Sequence, residues 1–263
     1  MLAFPNAKIN LGLNITSRRP DGYHTIESCL YPIPWRDVLE AVPAKAFKFD
    51  QTGLIIPGDN SNNLCVKAYE LIKEDKGIDP VHIHLHKVIP MGAGLGGGSA
   101  DGAFTLKLLN AIYQLEYSVE KLQELASLLG SDCPFFIENK PAMATGTGTT
   151  LSPYDLSLKG AWIALKHPSI HVSTKEAYSG VTPRLPNASI AKLLKTPIEA
   201  WKGSVHNDFE ESVFAGHPEI KSIKEDLYNK GASFAAMSGS GSAVFGVFTA
   251  VPKLEGFQVF EMR

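Results

Sequence analysis

The chain has 263 residues, of which 44% are hydrophobic, and its 25 basic and 27 acidic side chains give a formal net charge of −2. This balance is typical of a globular protein with an ample core, and it excludes a broad attraction to nucleic acid or anionic membranes. No apolar run approaches the ~20 residues needed to cross a membrane, and the first residues lack a signal-peptide pattern. Three scattered cysteines (Cys29, Cys65 and Cys133) fit a reducing compartment, so we expect a cytoplasmic protein.

The first predicted element is a strand over residues 7–15, in which apolar and polar residues alternate. Lys8 and Asn10 therefore lie on the same face, which is either solvated or part of a site. Residues 19–22 (Arg-Pro-Asp-Gly) are typical of a tight turn, so a second strand should return as a hairpin. Residues 36–58 predict further strands and turns.

Two more elements are predicted before the middle of the chain. Residues 61–63 (Ser-Asn-Asn) cap a helix, and residues 81–89 alternate strictly as a strand. Three histidines share one face of that strand: His82, His84 and His86. They span too much length to converge easily on one metal ion, so a solvated face is favoured over a metal site.

A glycine-rich run, Pro90-Met-Gly-Ala-Gly-Leu-Gly-Gly-Gly-Ser99, leads into an amphipathic helix with Ser99 at the predicted N-cap. A glycine loop that feeds a helix N-terminus is a phosphate site by geometry and dipole. The loop lacks the Lys-Ser/Thr of a Walker A motif, and Asp101 stands where a nucleophile elbow needs glycine. Its match to the dinucleotide fingerprint is weak, because no first strand of a βαβ unit precedes it.

An aspartate follows the next predicted helix, which Ser118 caps and Gly130 ends. Asp132 lies just past that end and precedes a proline and an apolar segment at 135–137 that we predict as a strand. The carboxylate is either an ordinary turn aspartate or a group held in place for chemistry.

The second half begins after a turn-rich stretch at 143–150, and we predict domains at 1–155 and 156–263. A strand at 161–165 and a helix starting at Thr174 come first, and residues 182–200 read as irregular, mobile surface. Residues 206–210 (His-Asn-Asp-Phe-Glu) open a helix, and a second glycine–serine turn, 238–242, lies between apparent strands.

Three of these segments together resemble the three motifs of the GHMP small-molecule kinases: residues 5–10, 90–100 and 238–242. Residues 19–24 and 130–136 are similar to those of the members that act on 4-diphosphocytidyl-2-C-methyl-D-erythritol. The likeness covers nearly the whole chain and is weakest between about 180 and 202. After Ser99 the chain has Ala-Asp-Gly, where the family usually has a small polar residue and then Asn or Asp.

The resemblance implies an α+β fold in two domains, the first like ribosomal protein S5 and the second ferredoxin-like, with the acceptor in a cleft between them. It implies transfer of the ATP γ-phosphoryl group to the 2-hydroxyl of the cytidine-linked methylerythritol, in the non-mevalonate pathway to isopentenyl diphosphate. Mg²⁺ should accompany ATP, although no acidic residue is identifiable as its ligand. The expected partners are therefore small molecules, and neither nucleic acid nor a membrane is expected. The protein is expected to be a monomer or a weak homodimer.

Site residues carry over from the family position by position. In catalysis, Asp132 matches the proposed general base and Lys8 the lysine beside it. The cytidine substrate would contact Asn10, Tyr23, His24, Thr174 and Tyr178. ATP would contact Pro90, Met91, Gly92, Ala93, Gly94, Leu95, Gly96, Gly97, Gly98, Ser99 and Ala100, together with Asn63, Gly239, Ser240 and Gly241.

Three alternatives accompany this interpretation. A sister kinase for mevalonate, homoserine or a sugar would have no use for residues 21–24 together with an aromatic side chain at Tyr178. A non-catalytic nucleotide-binding relative would be expected to lose Asp132 or Lys8. A serine hydrolase acting through Ser99 or Ser240 fails on motif geometry.

Overall fold

The computed structural model describes residues 1–56 and 58–263, so Pro57, inside the predicted strand-and-turn region, lies outside the described residues. Within these ranges the strands are β1 (Leu2–Ala3), β2 (Asn6–Arg18), β3 (His24–Arg36), β4 (Val38–Pro43), β5 (Lys48–Gly53), β6 (Val81–Lys87), β7 (Ala142–Gly146), β8 (Thr150–Pro153), β9 (Trp162–Lys166), β10 (Phe234–Met237), β11 (Val244–Phe248) and β12 (Gln258–Glu261). The helices are α1 (Leu64–Lys76), α2 (Gly97–Ile112), α3 (Val119–Leu129), α4 (Phe135–Glu138), α5 (Thr174–Ser179), α6 (Ile190–Leu193), α7 (Glu210–Gly216) and α8 (Pro218–Asn229). Among the described residues, no helix is both long and apolar enough to cross a membrane.

The chain divides into two compact units, each assembled from separated segments. Unit 1 comprises Met1–Ala7, Trp35–Met91 and Gly96–Lys140, and unit 2 comprises Lys8–Pro34, Gly92–Leu95 and Pro141–Arg263. The middle of the glycine-rich loop, Gly92–Leu95, therefore belongs to unit 2, and its two ends belong to unit 1. The single domain boundary predicted after residue 155 stays a prediction.

Unit 1 combines helices α1 to α4 with a four-stranded sheet in the order β1-β4-β6-β5. The sheet is antiparallel except for the parallel pair β5 and β6. Helix α2 is buried on most of its surface, with Ala100, Ala103 and Leu106 fully covered. Gly102 allows the close approach of α1, because a Cβ at this position would lie 2.9 Å from Cβ of Leu64.

Unit 2 holds two four-stranded sheets, in the orders β2-β3-β7-β8 and β10-β11-β9-β12. Strand β9 pairs antiparallel with both β11 and β12. Helix α8 presents Ile220, Ile223 and Leu227 to the core, as the spacing of these residues predicts. Both units mix sheets with helices, and the predicted α+β class is confirmed.

Local signals predicted several boundaries correctly. The hairpin of β2 and β3 forms around the turn at residues 19–22. Asn63 caps α1 by accepting from the N–H of Cys65 (2.9 Å), and Ser118 caps α3 by accepting from Lys121 (3.3 Å). These capping bonds depend only on residues next to each other in the chain, so the sequence was sufficient to find them.

Three local predictions are wrong. Ser99 is not the N-cap of α2, because Gly96 takes that position in a left-handed conformation (φ 68°) and the helix begins at Gly97. The segment 135–137 is helix α4 rather than a strand, a single turn closed by left-handed Asn139. The region 182–200 is not wholly irregular, since it contains α6 and Ile190 is buried.

Candidate active site

The second half of the glycine-rich loop forms the N-terminus of α2 in unit 1. Gly97 has to be glycine here, because a Cβ would lie 2.8 Å from Cγ2 of Ile89 and 3.0 Å from Nζ of Lys87. The first main-chain N–H groups of a helix have no partner within the helix, and the helix dipole adds partial positive charge. This end of α2 can therefore bind phosphate oxygens.

The middle of the loop, Gly92–Leu95, is hydrogen-bonded within unit 2. The N–H of Lys8 donates to the carbonyl of Leu95 (2.9 Å), and the N–H of Ala243 donates to that of Ala93 (3.1 Å). Gly94 has a φ of 77°, and a Cβ there would lie 1.9 Å from the carbonyl oxygen of Ser238. Only glycine fits this position, where the loop meets the glycine–serine turn at 238–242.

The polar face of β2 is buried, so the solvated alternative for this face is wrong. Lys8 and Asn10 are each 4% exposed. Nζ of Lys8 donates to Oδ1 of Asn10 (2.7 Å), and Nδ2 of Asn10 donates to Oγ of Ser28 (2.8 Å). The Ser28 hydroxyl donates in turn to the carbonyl of Gly12 (2.7 Å). Buried polar groups held by such a chain have a defined geometry, as a reaction site requires.

Asp132 lies half-buried in the turn between α3 and α4. The N–H of the next residue, Cys133, donates to the carbonyl of Gly130 (3.1 Å), which forms the turn. The Cys133 side chain shares a hydrogen bond with Ser99 of the glycine-rich loop, and burial raises the pKa of its thiol to about 12. The fold of unit 1 therefore brings the Asp132 turn to the loop, across more than 30 residues of sequence.

A buried charge cluster, Lys87 with Asp37 and Asp101, connects the two ends of the glycine-rich loop inside unit 1. Nζ of Lys87 lies 2.5 Å from Oδ2 of Asp37 and 2.7 Å from Oδ2 of Asp101. Oδ1 of Asp37 accepts from the N–H groups of Val88 (2.5 Å) and Ile89 (2.8 Å). Among the described residues, Oδ1 of Asp101 has no hydrogen-bond partner although it is buried.

The charges in this cluster do not balance if both carboxylates are ionised. Burial raises the pKa of Asp101 to about 8, despite the attraction of Lys87. Burial alone would lower the pKa of Lys87, but the two carboxylates outweigh it and raise that pKa. At neutral pH Asp101 therefore keeps its proton beside the charged Lys87.

A cavity of about 160 Å³ lies beside the loop in unit 1. Asn63, Met91, Gly98 and Asp101 are among its lining residues. Because Oδ1 of Asn63 accepts the capping bond from Cys65, the amide orientation is set and Nδ2 is the group available to donate to a ligand.

Aromatic side chains meet in unit 2 at two of the residues predicted to bind cytidine. The rings of His24 and Tyr178 stack with centroids 4.8 Å apart at 20°. Phe209 supports Tyr178 edge-on at 4.8 Å. Tyr23 is 67% exposed, and Thr174 begins α5, capped by Ser173.

The third motif, residues 238–241, is a tight turn after β10. The N–H of Gly241 donates to the carbonyl of Ser238 (3.0 Å), and Gly239 has a φ of 55°. Oγ of Ser238 donates to the carbonyl of Gly94 (2.8 Å) and accepts from the N–H of Asn10 (3.3 Å). Unit 2 thus joins three segments that are far apart in sequence.

The histidines of β6 bind neighbouring side chains. His82 lies 2.8 Å from Oδ2 of Asp50, and the rings of His84 and His86 lie 3.0 and 2.9 Å from Oγ1 of Thr52. Within residues 1–56 and 58–263, no three or more His, Cys, Asp or Glu side chains are placed to hold a metal ion.

Comparison with known proteins identifies the family. The family model "GHMP kinases N terminal domain" matches residues 63–140, and "GHMP kinases C terminal" matches residues 189–255. The chain is 54% identical over 254 residues to the 4-diphosphocytidyl-2-C-methyl-D-erythritol kinase of Cytophaga hutchinsonii, covering 96% of this chain and 94% of that one. The chain belongs to this family of GHMP kinases.

Other relatives agree with that placement. The kinase of the same name from Bacteroides fragilis is 52% identical over 258 residues, covering 97% of this chain and 94% of its own. A crystal structure of 4-(cytidine 5'-diphospho)-2C-methyl-D-erythritol kinase superposes with a TM-score of 0.81 at 34% identity, covering 94% of this chain and 90% of the other. The homoserine kinase of Cytophaga hutchinsonii, at a TM-score of 0.63 and 17% identity over 93% of this chain and 85% of its own, shares the fold.

Family membership and fold class are therefore confirmed, whereas the roles of individual site residues stay predictions. Sequence reasoning missed the partners of these residues: Ser28 under Asn10, the Lys87 cluster under the loop, and Asn207 beside the third motif. The available signals were a lysine at the end of an apolar strand and an Asn-Asp pair before a helix. Neither signal identifies its partners, which lie far away in the chain.

Proposed function

We propose that this kinase transfers the γ-phosphoryl group of ATP to the 2-hydroxyl of 4-diphosphocytidyl-2-C-methyl-D-erythritol, giving the 2-phosphate and ADP in the non-mevalonate pathway to isopentenyl diphosphate. The observation that carries the proposal is 54% identity, over nearly the full length of both chains, to a relative of that name. The glycine-rich loop at the N-terminus of α2 supports the proposal, because such an end favours phosphate oxygens.

On the nucleotide side, the adenine would occupy the 160 Å³ cavity and contact Nδ2 of Asn63. The phosphates would lie along residues 94–99, where the N-terminus of α2 offers unpaired N–H groups. Gly239, Ser240 and Gly241 are also proposed to contact ATP. These assignments use the glycines that the local geometry requires, at Gly94 and Gly97.

Asp132 is assigned as the group that accepts the proton of the acceptor hydroxyl. A tertiary alcohol is a poor nucleophile until its proton has an acceptor, and a carboxylate fixed in a turn can serve. Lys8 would offset negative charge on the moving phosphoryl group. Because phosphoryl transfer has a loose transition state, positioning and charge should matter more than base strength.

The cytidine end of the acceptor would bind at His24, Tyr23 and Tyr178. The stacked rings of His24 and Tyr178 support this assignment, because a planar base is recognised by aromatic faces. Thr174 and Asn10 would contact the erythritol part and its phosphates.

Mg²⁺ is proposed to enter with ATP. The ion usually keeps several waters and is held by one or two carboxylates plus substrate phosphates. The described part of the chain offers no three-ligand group for it, so the residues do not form a dedicated cage. A cytoplasmic location, a monomeric or weakly dimeric state and the lack of nucleic-acid or membrane partners likewise remain proposals.

The proposal is tested by ADP release from Mg-ATP with four acceptors: the cytidine diphospho-methylerythritol, mevalonate, homoserine and galactose. Turnover with the first acceptor alone is expected. ADP formed only with another acceptor would overturn the substrate assignment at Tyr23, His24 and Tyr178. ATP binding without turnover on any acceptor would instead favour a nucleotide-binding module.

A further inference from the structure

A short segment beside β2 carries Asn207, a buried residue that is 2% exposed and is not among the residues assigned to substrate or ATP. The N–H of Leu13 donates to the carbonyl of His206, and the N–H of Asp208 donates to the carbonyl of Leu13, both at 2.8 Å. Asn207 therefore pairs with Leu13 as an isolated parallel bridge. Its main chain is thereby attached to the strand that carries Lys8 and Asn10.

The side chain of Asn207 reaches the third motif. Nδ2 donates to the carbonyls of Met237 (2.8 Å) and Gly239 (2.7 Å), while Oδ1 accepts from the N–H of Phe209 (3.0 Å). Both amide hydrogens and the amide oxygen are used. This pattern of two donations and one acceptance is specific to a carboxamide, since a carboxylate would face two carbonyl oxygens.

The Gly239 carbonyl belongs to the turn that the proposed function places on ATP. Holding this carbonyl fixes the plane of the peptide that it shares with the N–H of Ser240, and this N–H would face the nucleotide. The same turn is connected through Oγ of Ser238 to Gly94 of the glycine-rich loop and to the N–H of Asn10. Asn207 and Ser238 thus both hold this one turn against the rest of the unit 2 site.

We propose that Asn207 is a positioning residue for phosphoryl transfer, whose carboxamide fixes the turn at 238–241 relative to β2. The inference rests on the proposed function, because that function places the turn on ATP. Asn207 is not assigned to contact a substrate itself, and it acts through its hydrogen bond to the carbonyl of Gly239. A purely structural asparagine would instead affect the whole of unit 2 equally, including its cytidine end at His24 and Tyr178.

The test compares Asn207→Asp and Asn207→Ala with the wild type and with Asn187→Asp, the same chemical change at an exposed position of unit 2. We expect kcat to fall about 100-fold in Asn207→Asp, the cost of misplacing a catalytic group by about 1 Å. The affinity for CDP, measured by calorimetry, reports on the cytidine end of the site. It should stay within about threefold of wild type if only the turn has moved. Asn187→Asp should match the wild type in both.

A second comparison serves if Asn207→Asp fails to fold. Asn207→Ala and Ser238→Ala should each lower kcat, and the double variant should fall little below the worse single variant, because both act through one turn. The inference would be overturned if the kcat losses of the two single variants multiplied in the double variant. A folded Asn207→Asp with near wild-type kcat, or with parallel losses of kcat and CDP affinity, would also overturn it. If wild-type protein turns over none of the acceptors, the proposed function fails by itself. In that case the ATP affinities of wild type and Asn207→Asp test the positioning role of Asn207. Equal affinities would overturn that role.

Discussion

Replacing Asp101 by Asn should remove a pH dependence of stability that this single buried carboxyl group imposes. Asn can accept from Lys87 through Oδ1, as Oδ2 of Asp101 does at 2.7 Å, and place Nδ2 where the protonated oxygen lies. The variant therefore mimics the neutral form of the wild-type side chain. It also leaves Asp37 as the counter-charge of Lys87.

The magnitude follows from the pKa of Asp101, which is raised from 3.8 to about 8 in the folded protein. Between these two values the folded state holds a proton that the unfolded state releases. The free energy of unfolding therefore falls as pH rises, by about 1.4 kcal/mol per pH unit. From pH 5 to pH 7 the wild type should lose about 3 kcal/mol relative to Asp101→Asn, and the loss should level off above about pH 8.

Urea unfolding at pH 5, 6, 7 and 8 measures this difference, with Asp79→Asn as the control for an exposed aspartate of unit 1. The control should run parallel to the wild type across the series. A difference between wild type and Asp101→Asn that does not change with pH would refute the assignment of the proton to Asp101. It would mean that Asp101 is ionised in the folded protein across this pH range.

The remaining predictions concern the site itself. Asp132→Asn should lower kcat at least about 100-fold and leave calorimetric ATP affinity largely unchanged, since the carboxylate is proposed to accept a proton rather than to bind the nucleotide. Retained turnover would contradict the base assignment. His24→Ala should raise the KM of the cytidine acceptor, with ATP KM as the internal control, because a stacked ring is lost beside the base; an unchanged acceptor KM would place the cytosine elsewhere. Gly94→Ala should lose most ATP affinity and stability, because its Cβ would lie 1.9 Å from the Ser238 carbonyl oxygen. Gly160→Ala, also at positive φ but with no atom within 4 Å, should cost only about 1 kcal/mol of stability and no activity, so equal effects at both positions would refute the steric argument.

Sequence reasoning succeeded where the physical cause is local. The cap at Asn63 and the hairpin turn at 19–22 each involve residues a few positions apart, so the chemistry of the side chains is enough to predict them. It failed where two local outcomes are close in energy. A short apolar segment such as 135–137 carries no periodicity that separates strand from helix, and a run of glycines leaves the first helical residue open.

The site divides in the same way. The motif around Lys8, the glycine-rich loop and the glycine–serine turn at 238–242 could be found from the order of residues. These motifs together indicated the family. Alternation placed Lys8 and Asn10 on one face of a strand, but it could not show that this face is buried. On the buried face, Asn10 is hydrogen-bonded to Ser28 and Ser238, which lie 18 and 228 residues away from it along the chain.

The sequence by itself determined the motifs and several helix caps, because these depend on neighbouring residues, and the resemblance of the motifs to a known family gave the α+β class. Only the tertiary structure decided what holds those segments: the Lys87 cluster beneath the glycine-rich loop, and Asn207 between β2 and Gly239. The physical reason is that a buried charge or amide is satisfied by whichever groups folding brings to it. Those partners lie 14 to 50 residues away here, beyond the reach of any local pattern.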